Sequence, residues 1–319
     1  MTYSVVLIGI GKIGFGYSNE SNPNSQGLSH FDAIRRSTRF RLDLCIDINS
    51  EACKKIESLY GIETSATVNL MPGANPDLVV IATPVSTHLN LVREVVKKLM
   101  PRIILLEKPA AGSLDEIQAI LKISLESKIP IVLNYPRRYS KGAVEIKDLI
   151  LNNEILTPAQ GLVRYGRDLL NNGIHFLDLM EFWFGKLAYK EHIFLPAKNL
   201  IHNFSNNNID LHFIENPLLP YSHFSVDILT QSGRLEVGSR DYGFRWNPIT
   251  PDTFYEGHYV ISDESVRYEM GLKDLQSNLL AHLDNWLSGT TTEIYTLEES
   301  LNNYRIAFQA TKNRVEINE

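Results

Sequence analysis

Short apolar runs alternate with helical patterns through residues 1–135, and this alternation is the strongest constraint on the fold. The runs are rich in Val, Ile and Leu and lie at residues 5–9, 42–47, 77–83, 102–107 and 130–135. Helical patterns separate them at residues 29–38, 49–60, 86–99 and 113–127. Continuous apolar runs are typical of parallel strands that are buried on both faces. The alternation therefore predicts an α/β domain with a doubly wound parallel sheet.

The first predicted strand runs into GIGKIG, residues 9–14. Glycines at this spacing permit a tight turn, close approach of the backbone to a pyrophosphate, and close packing of the next helix on the sheet. Asp47 ends the second strand, where an acidic side chain accepts hydrogen bonds from a ribose. The alternative, glycines in an ordinary loop, is less favoured because the motif follows a strand. We expect a dinucleotide site whose first turn contains Gly9, Gly11, Lys12, Ile13 and Gly14.

The stretch between this turn and Asp47 is longer than usual. Asp47 follows Gly14 by 33 residues, whereas the usual separation is about 20 residues. Residues 17–30 are polar and rich in turn formers, so we expect a loop that interrupts the first helix. A lid over the cofactor or substrate and a mobile surface excursion are both consistent with this loop.

Residues 136–319 show a different pattern. Runs such as LHFIE and HFSVDILT alternate apolar with polar residues, which is typical of a sheet with one face in water. Strands are predicted at residues 159–165, 189–195, 209–215, 221–230, 234–239 and 257–262, and a loop at 203–208. Helices are predicted near residues 140–153, 171–184, 272–288 and 297–315. We expect an α+β domain with an open, largely antiparallel sheet.

Composition excludes several classes of protein. The net charge of −6 and pI near 5.9 provide no broad basic surface for nucleic acid. Cys45 and Cys53 are too few for a disulfide framework and lack metal-ligand spacing, so we expect small core residues and no metal site. No apolar run is long enough for a membrane span, and the N-terminus lacks a charged n-region. These features predict a cytoplasmic protein.

Lys108 ends the strand at 102–107, within the triplet Glu107-Lys108-Pro109. Ligands of open α/β sheets bind outside the carboxyl ends of the strands, so Lys108 lies where a substrate is expected. A lysine there carries a proton to or from a hydroxyl if burial and neighbours lower its pKa. A solvent-exposed lysine paired with Glu107 is the alternative, and the triplet alone does not separate the two.

Two further groups of polar residues stand at positions where chemistry is expected. Thr83 and Pro84 end the strand at 77–83, and His88 follows one turn into the next helix. His88 either touches the ribose or caps the turn, and a structural role is favoured over a catalytic one. In NNGIHFLDLM, residues 171–180, helical spacing places His175 and Asp178 on one face.

Together these motifs resemble the Gfo/Idh/MocA oxidoreductases, named for glucose–fructose oxidoreductase and inositol dehydrogenase. The resemblance spans nearly the whole chain and is carried by GIGKIG, Asp47, ATPVSTH (82–88), EKP (107–109), Asn134 and the helix with Gly173, His175 and Asp178. It implies a Rossmann domain followed by a domain whose open sheet faces the cofactor and often builds oligomers. It implies NAD or NADP as cofactor. The usual substrates of the family are sugars, nucleotide-linked sugars, cyclitols and related polyols.

The resemblance also implies roles for individual residues. Lys108 and His175 lie beside the nicotinamide and contact the oxygen of the hydroxyl that is oxidised. Gly173 permits close approach of the chain to substrate or cofactor, and Asp178 anchors the helix or orients His175. Asn171 stands where the family commonly has aspartate, and an amide supplies no negative charge to raise a neighbouring pKa. We still count Asn171 with the catalytic residues Lys108 and His175.

The remaining predicted contacts flank these motifs. Cofactor contacts are expected from Asp47, Thr83, Pro84, His88, Glu107 and Asn134. Arginines near a sugar site suit a phosphate or carboxylate on the substrate, although each single arginine is equally consistent with a surface position. The expected substrate contacts are Tyr135, Arg138, Arg164 and Asn172.

Three functions are consistent with this sequence. The leading one is an NAD-dependent dehydrogenase or reductase acting on a sugar or cyclitol derivative, with NAD favoured over NADP because Asp47 repels a 2′-phosphate. A second is bond cleavage through transient oxidation, which differs from the first by forming no net NADH. A third is a regulatory protein that senses a dinucleotide or sugar, which the retained Lys108 and His175 argue against. A homodimer or homotetramer is expected.

Overall fold

The computed structural model describes residues 2–17, 27–68, 75–195, 199–238 and 243–312. The chain forms two compact units. Unit 1 contains residues 1–136 and 272–301, and unit 2 contains residues 137–271 and 302–319. The sequence predicts a division into 1–135 and 136–319, so the difference lies in residues 272–301, which return to unit 1.

The described residues of unit 1 form a six-stranded parallel sheet in the order β3-β2-β1-β4-β5-β6. The strands are β1 Tyr3–Ile8, β2 Phe40–Ile46, β3 Glu63–Ser65, β4 Leu78–Ile81, β5 Ile103–Leu106 and β6 Ile131–Leu133. Every residue of β4, β5 and β6 is buried, as expected for strands with helices on both faces. The predicted doubly wound α/β fold is confirmed, and only β3 is an unpredicted strand of this sheet.

The helices of the first half are α1 His30–Arg36, α2 Ser50–Tyr60, α3 His88–Lys98 and α4 Leu114–Ser127. Ser113 caps α4 by accepting a hydrogen bond from the backbone N–H of Glu116. A 3₁₀ turn, Val85–Thr87, precedes α3. A π-helical turn, Lys12–Gly16, stands apart from α1 as the predicted interruption requires; residues 18–26 of the predicted loop lie outside the described residues.

Unit 2 is built around a mixed sheet whose described strands follow the order β14-β13-β12-β11-β7-β10-β9-β8, with β15 paired to β13. Only the β7–β10 pair is parallel among the described pairs, so the predicted largely antiparallel sheet is confirmed. The predicted loop at 203–208 is wrong over 203–205, which belongs to β9. The strands are β7 Ala159–Gly166, β8 Ala188–Phe194, β9 Leu200–Ser205, β10 Ile209–Asn216, β11 Phe224–Leu229, β12 Gly233–Gly238, β13 Gly243–Pro251, β14 Tyr259–Ile261 and β15 Val266–Glu269.

Helices α5 Lys141–Leu151 and α6 Ile174–Phe184 also belong to unit 2. The indole ring of Trp183 on α6 packs edge-on against Phe244 of β13, with ring centroids 5.5 Å apart. Its Nε1 donates to the carbonyl of Ala143 on α5 at 2.9 Å. Buried aromatic rings thus join both helices to the apolar face of the sheet.

Two helices complete the described chain, α7 Leu275–Leu287 and α8 Leu297–Lys312. Helix α7 belongs to unit 1, where two arginines donate hydrogen bonds to it. Arg39 donates through Nε and Nη2 to the Asp284 carboxylate at 2.9 and 2.8 Å, and Arg102 donates to the carbonyl of Leu287 at 2.8 Å. None of the described helices is both long and apolar enough to cross a membrane.

Glu181 connects the end of α6 to α8 within unit 2. Its Oε1 accepts hydrogen bonds from the backbone N–H of Leu187 and from Nδ2 of Asn302. Burial of the carboxyl group raises its pKa above the ordinary glutamate value, although these two bonds act in the opposite direction. A raised pKa means that Glu181 contributes stability at low pH, and that this contribution is lost as pH rises through the folded-state pKa.

We predict that Glu181→Gln becomes more stable relative to the wild type as pH rises from 4 to 8. Glutamine keeps the Oε1 acceptor for both donors and removes the charge that burial disfavours. Chemical denaturation at a series of pH values measures the difference in free energy of unfolding. A difference that is the same at every pH would contradict the assignment of a raised pKa to Glu181.

Candidate functional site

The glycines of the turn after β1 have two different roles. Two of them are required by protein packing, and one leaves room for a ligand. Gly9 has a φ of +94°, and a Cβ there would lie 2.6 Å from the carbonyl oxygen of Ala82. A Cβ on Gly14 would lie 2.0 Å from the carbonyl oxygen of Gly9. A Cβ on Gly11 would meet no atom within 4 Å. Gly9 and Gly14 are therefore required by packing, whereas Gly11 faces open space.

A cleft of about 490 Å³ adjoins this turn within unit 1. Its volume falls within the range of small-molecule sites. It lies at the carboxyl ends of β1, β2 and β4, where ligands of open α/β sheets bind. The lining residues are Ile8, Gly9, Gly11, Ile46, Asp47, Ile48, Ala66, Thr67, Val68, Ala82, Thr83, Pro84, Thr87, Leu91, Glu94 and Lys98.

Asp47 joins the end of β2 to the glycine turn. Its Oδ2 accepts from the backbone N–H of Ile10 at 2.8 Å, and its Oδ1 accepts from that of Asn49 at 2.8 Å. Each carboxylate oxygen has a second lone pair, so both bonds are compatible with a further hydroxyl donor. Lys98 also lines the cleft, but it is paired with Glu94 at 3.1 Å.

These features fit the adenosine and pyrophosphate part of a dinucleotide. The open space at Gly11 allows phosphates to approach the backbone, and Asp47 provides an acceptor for ribose hydroxyls. Five of the predicted cofactor residues line the cleft: Gly9, Gly11, Asp47, Thr83 and Pro84. Lys12 and Ile13 lie in the same turn without lining it, and Gly14 is buried beneath it.

Lys108 follows β5 and is half-buried. Its backbone N–H donates to Oε2 of Glu107 at 3.2 Å. Oε1 of Glu107 lies 2.8 Å from Nε2 of His30 and accepts from Nδ2 of Asn134 at 2.6 Å. His30, Glu107 and Asn134 are buried, so this network forms the support beneath Lys108.

The network keeps Glu107 ionised. Burial on its own favours the neutral acid, but the hydrogen bond and charge of His30, the bond from Asn134 and the charge of Lys108 together hold the pKa of Glu107 below its ordinary value. Oδ1 of Asn134 is buried and has no hydrogen-bond partner among the described residues. Both oxygens of the Glu107 carboxylate bind protein groups, and a contact with the cofactor stays a prediction.

His88 is buried, and both ring nitrogens face carbonyl oxygens. Nδ1 lies 3.1 Å from the carbonyl oxygen of Ala110, and Nε2 lies 2.9 Å from that of Thr83. The ring thereby holds the segment after β4 to the segment after Pro109. These two contacts agree with the structural role favoured for His88, and its contact with the cofactor stays a prediction.

In unit 2 the predicted helix from 171 begins as a π-helical turn, Leu169–Gly173, and continues as α6. Asp168 caps the turn by accepting from the backbone N–H of Asn171 at 2.9 Å and from its Nδ2 at 2.7 Å. A carboxylate therefore lies beside position 171, although it comes from position 168. Asn172 donates through Nδ2 to the carbonyl of Gly166 at 2.8 Å, and its contact with substrate stays a prediction.

Packing explains Gly173 differently from the sequence prediction. A Cβ there would lie 2.6 Å from Leu169 Cδ1 and 2.8 Å from the ring of Tyr165, so the glycine permits the turn to pack on these side chains. His175, the second residue of α6, is half-buried. Asp178 is buried, with Oδ2 3.5 Å from Nε of Arg138.

Two of the predicted substrate residues are interior residues. The guanidinium of Arg138 is buried beside Asp178 and lies 5.0 Å above the ring of Phe182, so it is a structural residue of unit 2. Tyr135 is buried in unit 1. Arg164 lies on the half-exposed face of β7 and remains compatible with a substrate contact.

Sequence reasoning missed three residues of these sites. His30 was placed in a polar loop, although it is the first residue of α1 and contacts a residue 77 positions away. Asp168 precedes Asn171 by three residues, which is the spacing of an N-cap, so this pattern could have identified it. Lys98 is brought to the cleft only by the position of α3 on the sheet.

Comparison with known proteins supports the resemblance. Residues 3–135 match the family model described as "Oxidoreductase family, NAD-binding Rossmann fold", the Gfo/Idh/MocA oxidoreductases. Inositol 2-dehydrogenase of Rhizobium meliloti is 24% identical over 200 residues, which cover 58% of this chain and 56% of that protein. The chain thus spans about half the length of this curated relative.

Solved structures are similar over nearly the whole chain. An oxidoreductase from Agrobacterium radiobacter, in complex with NAD+, L-tartaric acid and magnesium, has a TM-score of 0.75 at 17% identity and covers 99% of this chain and 97% of its own. The apo scyllo-inositol dehydrogenase from Lactobacillus casei has a TM-score of 0.71 at 13% identity, covering 98% and 95%. Likeness at this identity demonstrates a shared fold.

We predict that Gly11→Val lowers NADH affinity at least about tenfold, a loss of about 1.4 kcal/mol, with little change in melting temperature. The new Cβ would lie in the open space at Gly11, where phosphates approach, and would meet no protein atom within 4 Å. Gly14→Ala is the contrasting variant, because its Cβ would meet the Gly9 carbonyl and cost about 1–3 kcal/mol of stability. Fluorescence titration with NADH and thermal unfolding measure the two effects. Unchanged NADH binding by Gly11→Val would exclude the cleft as the phosphate site.

We predict that NADH binds at least about tenfold more tightly than NADPH, a difference of about 1.4 kcal/mol. Asp47 accepts from ribose hydroxyls and repels a 2′-phosphate, and the cation nearest in the cleft, Lys98, is neutralised by Glu94. Parallel titrations measure the ratio of the dissociation constants of NADPH and NADH. Asp47→Ala is expected to lower this ratio. Tighter binding of NADPH by the wild type would contradict this reading of Asp47.

Proposed function

We propose that this chain, whose residues 3–135 match the Gfo/Idh/MocA family model, is an NAD-dependent dehydrogenase of that family acting on a hydroxyl group of a cyclitol or sugar derivative. One observation carries the proposal. The dinucleotide cleft and the half-buried Lys108 both belong to unit 1, at the carboxyl ends of strands of one parallel sheet. A cofactor site and a lysine at this edge are what hydride transfer between a nicotinamide and an alcohol requires.

Oxidation of an alcohol to a ketone removes a hydride from carbon and a proton from oxygen. Bound NAD+ supplies the acceptor for the hydride. Lys108, as the amine, takes the proton from the hydroxyl, and as the ammonium it returns the proton in the reverse reaction. The buried network beneath it fixes the backbone of Lys108 and therefore the point from which its side chain extends.

His175 is the second residue proposed to contact the reacting oxygen, and its support is the family resemblance. Within unit 2 its helix is anchored by the buried pair of Asp178 and Arg138. Asp168 provides a carboxylate beside Asn171, one turn before His175. Asn171 is thus proposed as the link between a carboxylate and the start of this helix, in a chain that has no aspartate at position 171.

The substrate class rests on similarity to inositol 2-dehydrogenase. Polyols such as myo-inositol and scyllo-inositol are therefore the first compounds to test. Arg164 is the remaining arginine among the proposed substrate contacts, and it suits a carboxylate or phosphate on the substrate. Net formation of NADH separates this proposal from bond cleavage through transient oxidation, and NADH binding without turnover of any polyol would favour a sensing role.

Self-association as a homodimer or homotetramer remains a prediction. The outer strands β13 and β14 expose apolar side chains, and exposed apolar patches are typical of surfaces that bind another protein. They include Ile249, Tyr259, Val260 and Ile261. Contacts between copies of this sheet would cover them.

We predict that Lys108→Ala lowers kcat at least about 10²-fold, the lower end of the range for general acid–base catalysis, while NADH affinity stays within about threefold. The loss arises because the proton carrier is removed while the dinucleotide cleft is unchanged. Reduction of NAD+ with polyol substrates is followed by absorbance, and affinity by fluorescence. Lys122→Ala is the control, because Lys122 is 74% exposed on α4 of the same unit. Retention of most of the wild-type kcat by Lys108→Ala would show that Lys108 has only a structural role.

A further inference from the structure

The carboxylate of Glu107 uses its two oxygens for different purposes. Oε1 lies 2.8 Å from Nε2 of His30 and 2.6 Å from Nδ2 of Asn134, which come from the start of α1 and the end of β6. Oε2 accepts from the backbone N–H of Lys108 at 3.2 Å. One oxygen thus fixes the carboxylate to the interior of unit 1, and the other fixes Lys108 to the carboxylate.

The chemistry of the donors determines the state of this network. Nδ2 of Asn134 is a donor, so the carboxylate accepts from it. Nε2 of His30 also points at Oε1, and an ionised carboxylate offers only acceptor sites, so Nε2 carries the hydrogen. His30 is 2% exposed, so water does not replace this donor when the imidazole is removed. Loss of the donor leaves a buried carboxylate with one fewer hydrogen bond.

Fold stability alone does not explain such an arrangement. Buried ionised groups cost desolvation free energy, and well-packed apolar residues frequently stabilise a core as well or better. The buried carboxylate of Glu107 also accepts from the backbone N–H of Lys108, a candidate catalytic residue. This bond fixes the position of the Lys108 backbone, from which the side chain extends. A group that transfers a proton must be held in a fixed position, because a small displacement from the substrate lowers the reaction rate strongly.

We propose that His30 is a positioning residue for Lys108: by donating to Oε1 of Glu107 it fixes the carboxylate whose Oε2 holds the Lys108 backbone. This inference rests on the proposed function only in the role that Lys108 plays in turnover. The hydrogen-bonded connection from α1 to Lys108 exists whatever the substrate is.

The connection also has a pH dependence with a definite sign. The titratable groups that face Glu107 in the described part of unit 1 are His30 from α1 and the neighbouring Lys108, while Asn134 faces it as an uncharged donor. His30 lowers the pKa of Glu107, so its replacement by an apolar residue raises that pKa. Stability that depends on ionised Glu107 is then lost at a higher pH during acidification than in the wild type.

The test compares His30→Leu, which removes the donor, with His30→Gln, whose amide keeps one. The substrate-independent measurement is hydrogen exchange of the Lys108 backbone amide, resolved by NMR. We expect exchange about five- to tenfold faster in His30→Leu, as for loss of one ordinary hydrogen bond, and a rate near that of the wild type in His30→Gln. Acid unfolding is expected to begin at a higher pH in His30→Leu only.

A second measurement connects the network to turnover. With the polyol that the wild type oxidises, we expect kcat of His30→Leu to fall at least about tenfold while NADH affinity stays within about threefold, and His30→Gln to recover most of the rate. His202→Leu is the matched control, because it removes an equally buried His–Glu contact, with Glu215 in unit 2. It is expected to lower stability without changing Lys108 amide exchange.

The outcomes separate this proposal from the proposed function. Unchanged Lys108 amide exchange in His30→Leu would overturn the positioning role, whatever the activity. Equal loss of exchange protection and rate in His30→Leu and His30→Gln would also overturn it, because the effect would then follow from disrupted packing rather than from the donor. Full activity of Lys108→Ala would refute the proposed function instead, and would leave the exchange result standing.

Discussion

The ionised carboxylate of Glu107, enclosed in the interior of unit 1, determines much of the local structure around it. A carboxylate away from water is tolerated only when its oxygens are occupied by donors, and here the donors come from segments far apart in the sequence. His30, Asn134 and the backbone of Lys108 meet at these oxygens. The need to satisfy one charge therefore brings α1, β5 and β6 to a common point, and Lys108 stands at that point.

Both candidate sites also begin at a π-helical turn. One is Lys12–Gly16 in unit 1, and the other is Leu169–Gly173 in unit 2. A π turn is wider than an α turn and is frequently found at functional sites. In each turn a glycine packs where a side chain would collide: Gly14 against the carbonyl of Gly9, and Gly173 against Leu169 and Tyr165. These glycines allow each turn to pack closely on the residues behind it.

Sequence prediction succeeded where the local sequence alone determines the structure, and it failed where a short or polar segment forms a strand. The five apolar runs of the first half all contain strands of the parallel sheet, because burial on both faces dictates their composition. Strand β3 was missed because Glu63–Ser65 is short and polar. The end of β9 was mistaken for a loop because its sequence runs into asparagines, of which Asn206 forms the turn by accepting from the N–H of Asn208 and Ile209.

The sites followed the same rule. Gly9, Gly11 and Asp47 were found because a local motif places them at the cleft. The positions of His88 and Glu107 on the predicted elements agree with the structure. Their hydrogen bonds to Thr83, Ala110 and His30 could not be predicted, since such contacts are not visible in sequence spacing. His30 itself escaped notice because its importance depends on a contact across 77 residues.

Residues 272–301 give unit 1 a discontinuous chain, and this has a consequence for how the protein is made. During synthesis the parallel sheet emerges early, whereas α7, with Asp284 as the partner of Arg39, emerges only after residues 137–271 of unit 2 have been translated. Until then the side chains of unit 1 that α7 covers face water or a chaperone. The dinucleotide-binding unit is thus the first to begin folding but cannot be finished before most of the chain has left the ribosome.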